Sequence, residues 1–133
     1  MILDTEFLGN LVEQTPAAVE KAGELDARDN PVRVPAMVVS ELYYGVANAP
    51  EASRETLRTG YGKLFESYPV VELDGALARR AGRIRGRHAR SDSLATLDGA
   101  DSAVAATALS YDEPVVSNDR NFRGVDGLTV ETY

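Results

Sequence analysis

The stretch MILDT, residues 1–5, is an apolar run that ends at an acidic residue, Asp4. The stretch VVSND, residues 115–119, repeats this arrangement, because two valines are followed within three residues by Asp119. Both stretches predict a short buried strand. If the two strands are parallel neighbours, both carboxylates emerge at the same edge of one sheet, which is where ligand sites form in α/β proteins.

The rest of the chain alternates predicted strands with predicted helices. Further strands are predicted at residues 32–35, 70–73 and 128–130, and apolar residues at helical spacing fill most of the intervening segments. Residues 51–67 and 100–110 are predicted helices, and residues 91–99 have the composition of a loop. This alternation predicts an α/β fold in a single domain over residues 1–133: a three-layer sandwich whose mainly parallel central sheet is flanked by helices.

Composition excludes several kinds of site. The chain has 133 residues, 21 acidic and 14 basic, for a net charge of −7, and 44% of its residues are hydrophobic. It has no cysteine and one histidine, which excludes disulfides, thiolate metal sites and histidine clusters. No apolar run approaches the roughly 20 residues of a membrane span, and no cationic start precedes an apolar stretch. We therefore expect a cytoplasmic globular protein whose metal, if any, is bound by oxygen atoms.

Two further acids join Asp4 and Asp119 as candidates. Glu41 is the only acid between Pro31 and Pro50, and Asp101 lies in the first turn of a predicted helix. Carboxylates brought together repel one another, and a hard cation such as Mg²⁺ or Mn²⁺ relieves that repulsion. Each acid also has a purely structural interpretation: a turn after a strand, a surface position, or a charge matched to the helix dipole.

Asp98 precedes Asp101 by three residues, which is the spacing of a helix N-cap. We therefore predict that Asp98 caps the same helix and lies beside the candidate site.

Four blocks of sequence stand out in this order: LDT at 3–5, SELYYG at 40–45, DSAVAATA at 101–108 and VSNDRNF at 116–122. Together they resemble the PIN-domain ribonucleases and most closely their VapC toxins, which belong to type II toxin–antitoxin systems. The resemblance covers essentially the whole chain. The block at 101–108 is the most specific of the four.

The resemblance implies an endoribonuclease dependent on Mg²⁺ or Mn²⁺, in which a metal-activated water attacks the scissile phosphate. The family's acidic quartet falls on Asp4, Glu41, Asp101 and Asp119, and its two hydroxyl positions fall on Thr5 and Ser117. It also implies a homodimer inhibited by a VapB-like antitoxin. The chain departs from the family pattern at Glu6, where a small polar residue is usual, at Ser117, where threonine is more usual, and at Asn121, where aspartate is common.

A basic segment stands out from the acidic remainder. Six arginines fall between positions 79 and 90, and helical spacing places Arg79, Arg83, Arg87 and Arg90 on one face. Such a stripe suits phosphate contacts with RNA, although a solvated helix face or the acidic surface of an antitoxin fits it too. His88, near the apolar edge of this helix, is expected to be packed or exposed rather than catalytic.

Alternative functions stay open. A housekeeping PIN nuclease of RNA maturation would have the same catalytic residues, and a PIN-like domain without catalysis would be a binding module. An aspartyl-phosphate hydrolase is disfavoured, because that chemistry usually wants an aspartate two residues after the nucleophile, and position 6 is Glu6.

Overall fold

A computed structural model describes all 133 residues as an α/β fold of five short parallel strands and six helices. The strands are β1 (Ile2–Leu3), β2 (Val34–Pro35), β3 (Val70–Val71), β4 (Val115–Val116) and β5 (Val130–Glu131). The helices are α1 (Thr5–Val12), α2 (Pro16–Ala27), α3 (Ala36–Asn48), α4 (Glu51–Ser67), α5 (Gly75–Arg90) and α6 (Gly99–Tyr111). No helix is both long enough and apolar enough to cross a bilayer.

The strands form one twisted parallel array in the order β3-β2-β1-β4-β5. Strands β1, β4 and β5 pair directly, as do β2 and β3. The two groups are joined beside β1, where Leu3 N donates to Arg33 O at 3.0 Å and Arg33 N donates to Met1 O at 2.9 Å. Strand β1 is therefore central, with later strands added on both of its sides.

Neighbouring elements determine where strands β3 and β5 begin and end. Strand β3 stops at Val71, before the predicted end at residue 73, because its partner β2 ends at Pro35, where α3 begins. Strand β5 starts two residues later than predicted. Gly127 has a φ of +76°, and Leu128 N bonds back to Val125 O, so Leu128 belongs to a turn.

Helix α6 is the packing centre of the domain. Its sequence is rich in alanine, and all residues from Ser102 to Ala108 are buried, so the helix is enclosed on all sides. It packs against β1, β2 and β4 as well as against α3 and α5. Small side chains permit this close packing, and the arrangement fixes the start of α6 at the carboxyl edge of the sheet.

Gly60 provides a test of the packing between α1 and α4. A Cβ added at Gly60 would lie 2.9 Å from Val12 Cγ1, whereas one added at Gly62, on the same helix, would have nothing within 4 Å. Gly60→Ala should lower the free energy of unfolding by about 1 kcal/mol, since overpacking outweighs the gain in helix propensity. Gly62→Ala should raise it by about 0.5–1 kcal/mol.

Urea denaturation measures both changes. Adding Val12→Ala to Gly60→Ala should recover much of the loss attributable to the clash, beyond what the two single variants predict by addition. If Gly60→Ala stabilises the protein as much as Gly62→Ala does, the result contradicts the close packing of α1 against α4 at Gly60.

Candidate active site

Asp4 lies between the end of β1 and the first residue of α1. It is the N-cap of that helix, and its Oδ1 accepts a 2.7 Å hydrogen bond from Phe7 N. The side chain is buried, and this burial raises the pKa of Asp4 to about 6. The Ser117 hydroxyl and the Phe7 amide oppose that rise, while Glu6 and Asp119 add to it.

Ser117 and Asp119 follow β4, the parallel neighbour of β1. Because Leu3 pairs with Val116, Ser117 comes after β4 at the level where Asp4 comes after β1. The Ser117 side chain is fully buried, and its Oγ accepts a 3.0 Å hydrogen bond from Asp119 N. Asp119 in turn caps the 3-10 turn Arg120–Gly124, accepting from Asn121 N at 2.8 Å. Ser117 thus lies between two of the predicted carboxylates.

Glu41 reaches the same region from α3. Thr5 Oγ1 donates to Glu41 Oε2 in a short hydrogen bond of 2.6 Å. Thr5 is the residue after Asp4, so this bond ties Glu41 to the end of β1. The contact links the two sequence blocks that contain residues 3–5 and 40–45.

Asp101 lies in the first turn of α6. Asp98 is the N-cap of this helix, as predicted, and its Oδ1 accepts from Asp101 N at 2.8 Å. Burial is the largest cause of a pKa of about 7 for Asp101. The negative charges of Asp98, Asp119, Glu41 and Asp4 raise this pKa further, in that order. Such an effect requires charges close to one another.

The structure therefore brings the four predicted acids into one region at the carboxyl edge of the sheet, with Thr5, Ser117 and Asp98 beside them. Carboxylates and hydroxyls make an all-oxygen donor set, which fits Mg²⁺ or Mn²⁺ and does not fit softer metals. No three acidic or histidine side chains approach closely enough to form a finished coordination sphere. The site is an acidic region with the right donor chemistry rather than a closed cage.

The four predicted RNA-binding arginines lie elsewhere, on the exposed face of α5. Arg79, Arg83, Arg87 and Arg90 are all exposed. The opposite face of α5 is buried through Leu77, Ala81 and His88. His88 Nδ1 forms a 2.7 Å hydrogen bond with Ala95 O. His88 thus anchors the loop after α5 through this hydrogen bond and is not one of the residues at the acidic site.

Three residues outside the predicted set lie near the site. Glu6 is exposed, and its charge raises the pKa of Asp4. Tyr133 packs edge-on against Phe7, with ring centroids 4.9 Å apart, and burial raises its pKa to about 12, with additions from Asp4 and Glu6. The Arg85 guanidinium lies beside Gly99, at the start of α6. No spacing in the sequence relates Tyr133 or Arg85 to the acids.

The raised pKa of Asp101 predicts how stability depends on pH when divalent metal is chelated. The folded carboxyl binds its proton more tightly than the unfolded one, so the folded state holds more protons between about pH 4 and pH 7. Stability from this group is therefore lost as pH rises through that window. Asp101→Asn removes the ionisation and should raise the melting temperature at pH 8 by about 3–5 °C, corresponding to on the order of 1 kcal/mol.

Thermal unfolding in EDTA at pH 4 and pH 8 measures this difference, which should shrink at the lower pH. Asp92→Asn, a change at an exposed loop residue, is the matched control and should show no such pH dependence. Equal melting temperatures for Asp101→Asn and the parent at pH 8 would contradict the electrostatic description of the site.

The chain matches the family model of the PIN domain over residues 1–128. No curated protein matches it at the sequence level. Among solved structures it is similar to VapBC2 from Rickettsia felis bound to a promoter DNA fragment, with a TM-score of 0.83, 19% identity, and coverage of 99% of this chain and 97% of that one. It is also similar to DNA-bound VapBC from Salmonella typhimurium, with a TM-score of 0.81, 22% identity, and coverage of 98% of this chain and 96% of that one.

A member of the VapBC family of toxin–antitoxin systems from Mycobacterium tuberculosis, VapBC-5, has a TM-score of 0.60 and 26% identity, over 76% of this chain and 79% of that one. The fold of these structures and the family model agree. The chain belongs to the PIN domain family and has the fold of a VapC-like toxin.

Proposed function

We propose that this PIN domain, spanning residues 1–133, is a Mg²⁺- or Mn²⁺-dependent endoribonuclease and the toxin of a VapBC pair. The observation that carries the proposal is the environment of Asp101. Burial is the largest cause of the raised pKa of Asp101, and, after the neighbouring Asp98, carboxylates from three other segments of the chain, at Asp119, Glu41 and Asp4, raise it further. Such mutual repulsion is expected of residues selected to hold a cation rather than to stabilise the fold.

Asp4, Glu41, Asp101 and Asp119 would hold the cation. A divalent ion, when bound, supplies a Lewis acid that lowers the pKa of water and neutralises charge at the scissile phosphate. The protein's own contribution is to hold the carboxylate ligands in position through hydrogen bonds. Thr5 orients Glu41 through the 2.6 Å hydrogen bond, and Ser117 fixes the backbone at Asp119 while its hydroxyl lies near Asp4. Thr5 and Ser117 are therefore proposed as positioning residues.

The partner of the toxin is proposed to be a VapB-like antitoxin. Support comes from the VapBC assemblies among the similar structures. The protein would then act in the cytoplasm, where RNA and antitoxin meet, and a homodimer is part of the same proposal. Tyr43 and Tyr44 on α3 are exposed and could contact a second protein, whereas Tyr61 is buried and could not.

Cleavage of RNA tests the enzymatic proposal. Purified protein, free of partners, should cut total RNA in Mg²⁺ or Mn²⁺ and not in EDTA, with product ends mapped by sequencing. Asp4→Asn and Asp119→Asn should each lower the cleavage rate by about 100-fold or more, because each removes a proposed ligand. Asp92→Asn should leave the rate unchanged and serves as the control.

Two outcomes would redirect the proposal. A parent protein that binds RNA but never cleaves it with either metal favours a non-catalytic binding module. Cleavage confined to one precursor RNA at its mature end favours a housekeeping nuclease of RNA maturation.

The antitoxin proposal has a separate test. A short protein encoded beside this chain should co-purify with it and suppress cleavage of RNA, and removing that protein should restore the activity. An active nuclease whose neighbouring reading frames encode no such protein would contradict the toxin assignment and leave the nuclease assignment standing.

A further inference from the structure

Helix α5 concentrates positive charge in a protein whose net charge is −7. Its 16 residues include six arginines and no acid, although the whole chain has 21 acidic residues. Exposed residues at positions 79, 83, 87 and 90 form a continuous basic stripe along the outer face. The helix thus presents a local field opposite in sign to that of the molecule.

Three of the four stripe arginines have no ion pair within the protein. The fourth, Arg87, pairs with Asp126, and both of these side chains are exposed. Like charges four residues apart on a helix repel one another. Helix α4, by contrast, interleaves its basic residues with Glu51, Glu55 and Glu66. An ordinary solvated face would resemble α4, so the uncompensated charge of α5 indicates an external polyanion.

Two glycines shape the same face. Gly82 and Gly86 lie one helical turn apart, and a Cβ added at either would have nothing within 4 Å. Glycine inside a helix is unfavourable, and here no neighbouring element needs the space. Together with the four stripe arginines, the two glycines line a shallow surface groove of about 660 Å³. An extended chain can therefore approach the helix backbone between guanidinium groups.

Arg85 connects this groove to the acidic site. Helical geometry puts Arg85 on the side of Gly82 away from Arg79 and Arg83. Its Nη1 lies 3.8 Å from where a Cβ of Gly99 would be, and Gly99 stands between Asp98 and Ala100 at the start of α6. A chain lying over the glycines would have arginines on both sides and the first turn of α6 beside it.

We propose that the outer face of α5, consisting of the stripe arginines with Gly82 and Gly86, is the docking track for the RNA strand that enters the acidic site. This inference rests on the proposed function. From Arg79 to Arg90 the track is about 16 Å long. Guanidinium groups there contact phosphates and do not read bases, so the track binds single-stranded RNA without sequence preference.

Equilibrium binding in EDTA tests the track without cleavage. The probe is a fluorescently labelled single-stranded RNA, followed by anisotropy at several salt concentrations. Arg79→Gln combined with Arg83→Gln should weaken binding about 20-fold at 0.1 M salt. The slope of log affinity against log salt should fall in magnitude by about 1.4, the value for two lost phosphate contacts on a single strand.

The matched control is Arg58→Gln combined with Lys63→Gln, at two exposed positions on α4. Both double variants change the net charge from −7 to −9, since each removes two positive charges from the chain. The control should keep the parent's affinity to within about 3-fold, because distant charges are screened. Equal losses in the two variants would overturn the track and leave only a general charge effect.

The glycines provide a second variant in which stability and binding move in opposite directions. Gly82→Leu combined with Gly86→Leu should raise the melting temperature by several degrees, because leucine favours the helix and open space surrounds both positions. The same variant should weaken RNA binding about 10-fold by filling the groove. A variant that is more stable and binds RNA as well as the parent overturns the proposed track.

Two further readouts separate this inference from its alternatives. Loss of binding to a co-purified antitoxin, with RNA affinity unchanged in both the arginine and leucine variants, assigns the face to an acidic protein and overturns the track. Metal-dependent cleavage by the parent is measured separately. If the parent cleaves RNA but the α5 variants bind normally, the track fails while the proposed function stands.

Discussion

The parallel pairing of β1 with β4 is the contact on which the candidate site depends. Each strand has only two residues, and the register sets Leu3 against Val116. The chain therefore leaves both strands at the same level, with Asp4 after one and Ser117 after the other. A shift of one residue would turn these side chains to the opposite face of the sheet. Strand β2 joins β1 on its other side, which makes the end of β1 the point where the strand order changes direction.

The placement of Asp4 and Asp119 was predictable because it follows from two local strand-end patterns and from the default parallel pairing of the strands. An apolar run followed by an acid marks a strand end, and the alternation of strands with helices makes parallel pairing the default. Helix α4 has the predicted bounds, and Asp98 caps α6 as its spacing indicated. Glu41 and Asp101 were candidates from their positions in the sequence, but each also fits an ordinary surface or helix-start role, and the family resemblance was what favoured a shared site.

The remaining contacts at the site depend on how separate elements pack, which no spacing encodes. Tyr133 reaches the site because β5 pairs with β4 and returns the chain toward Phe7 and Asn10. Arg85 lies beside Gly99 because α5 packs along α6 through alanines, among them Ala81 and Ala103. The short strands β3 and β5 likewise take their bounds from a neighbouring strand and a glycine turn rather than from their own sequences.

Separation of charge would allow this acidic protein to bind the anionic polymer proposed above. At physiological salt, exposed charges are screened beyond about 8 Å, so a ligand responds to the nearest residues rather than to the net charge. The acids are gathered at the ends of β1 and β4, in the second turn of α3 and in the first turn of α6, where a hard cation would neutralise them. The arginines are gathered on α5, which contains no acid at all.

Because α6 packs against both α5 and β1, one helix holds the acidic region and the basic region next to each other while keeping their charges on separate elements. The proposed RNA track and the acidic site are therefore neighbours, and this adjacency follows from the packing of α6 rather than from either charge cluster alone.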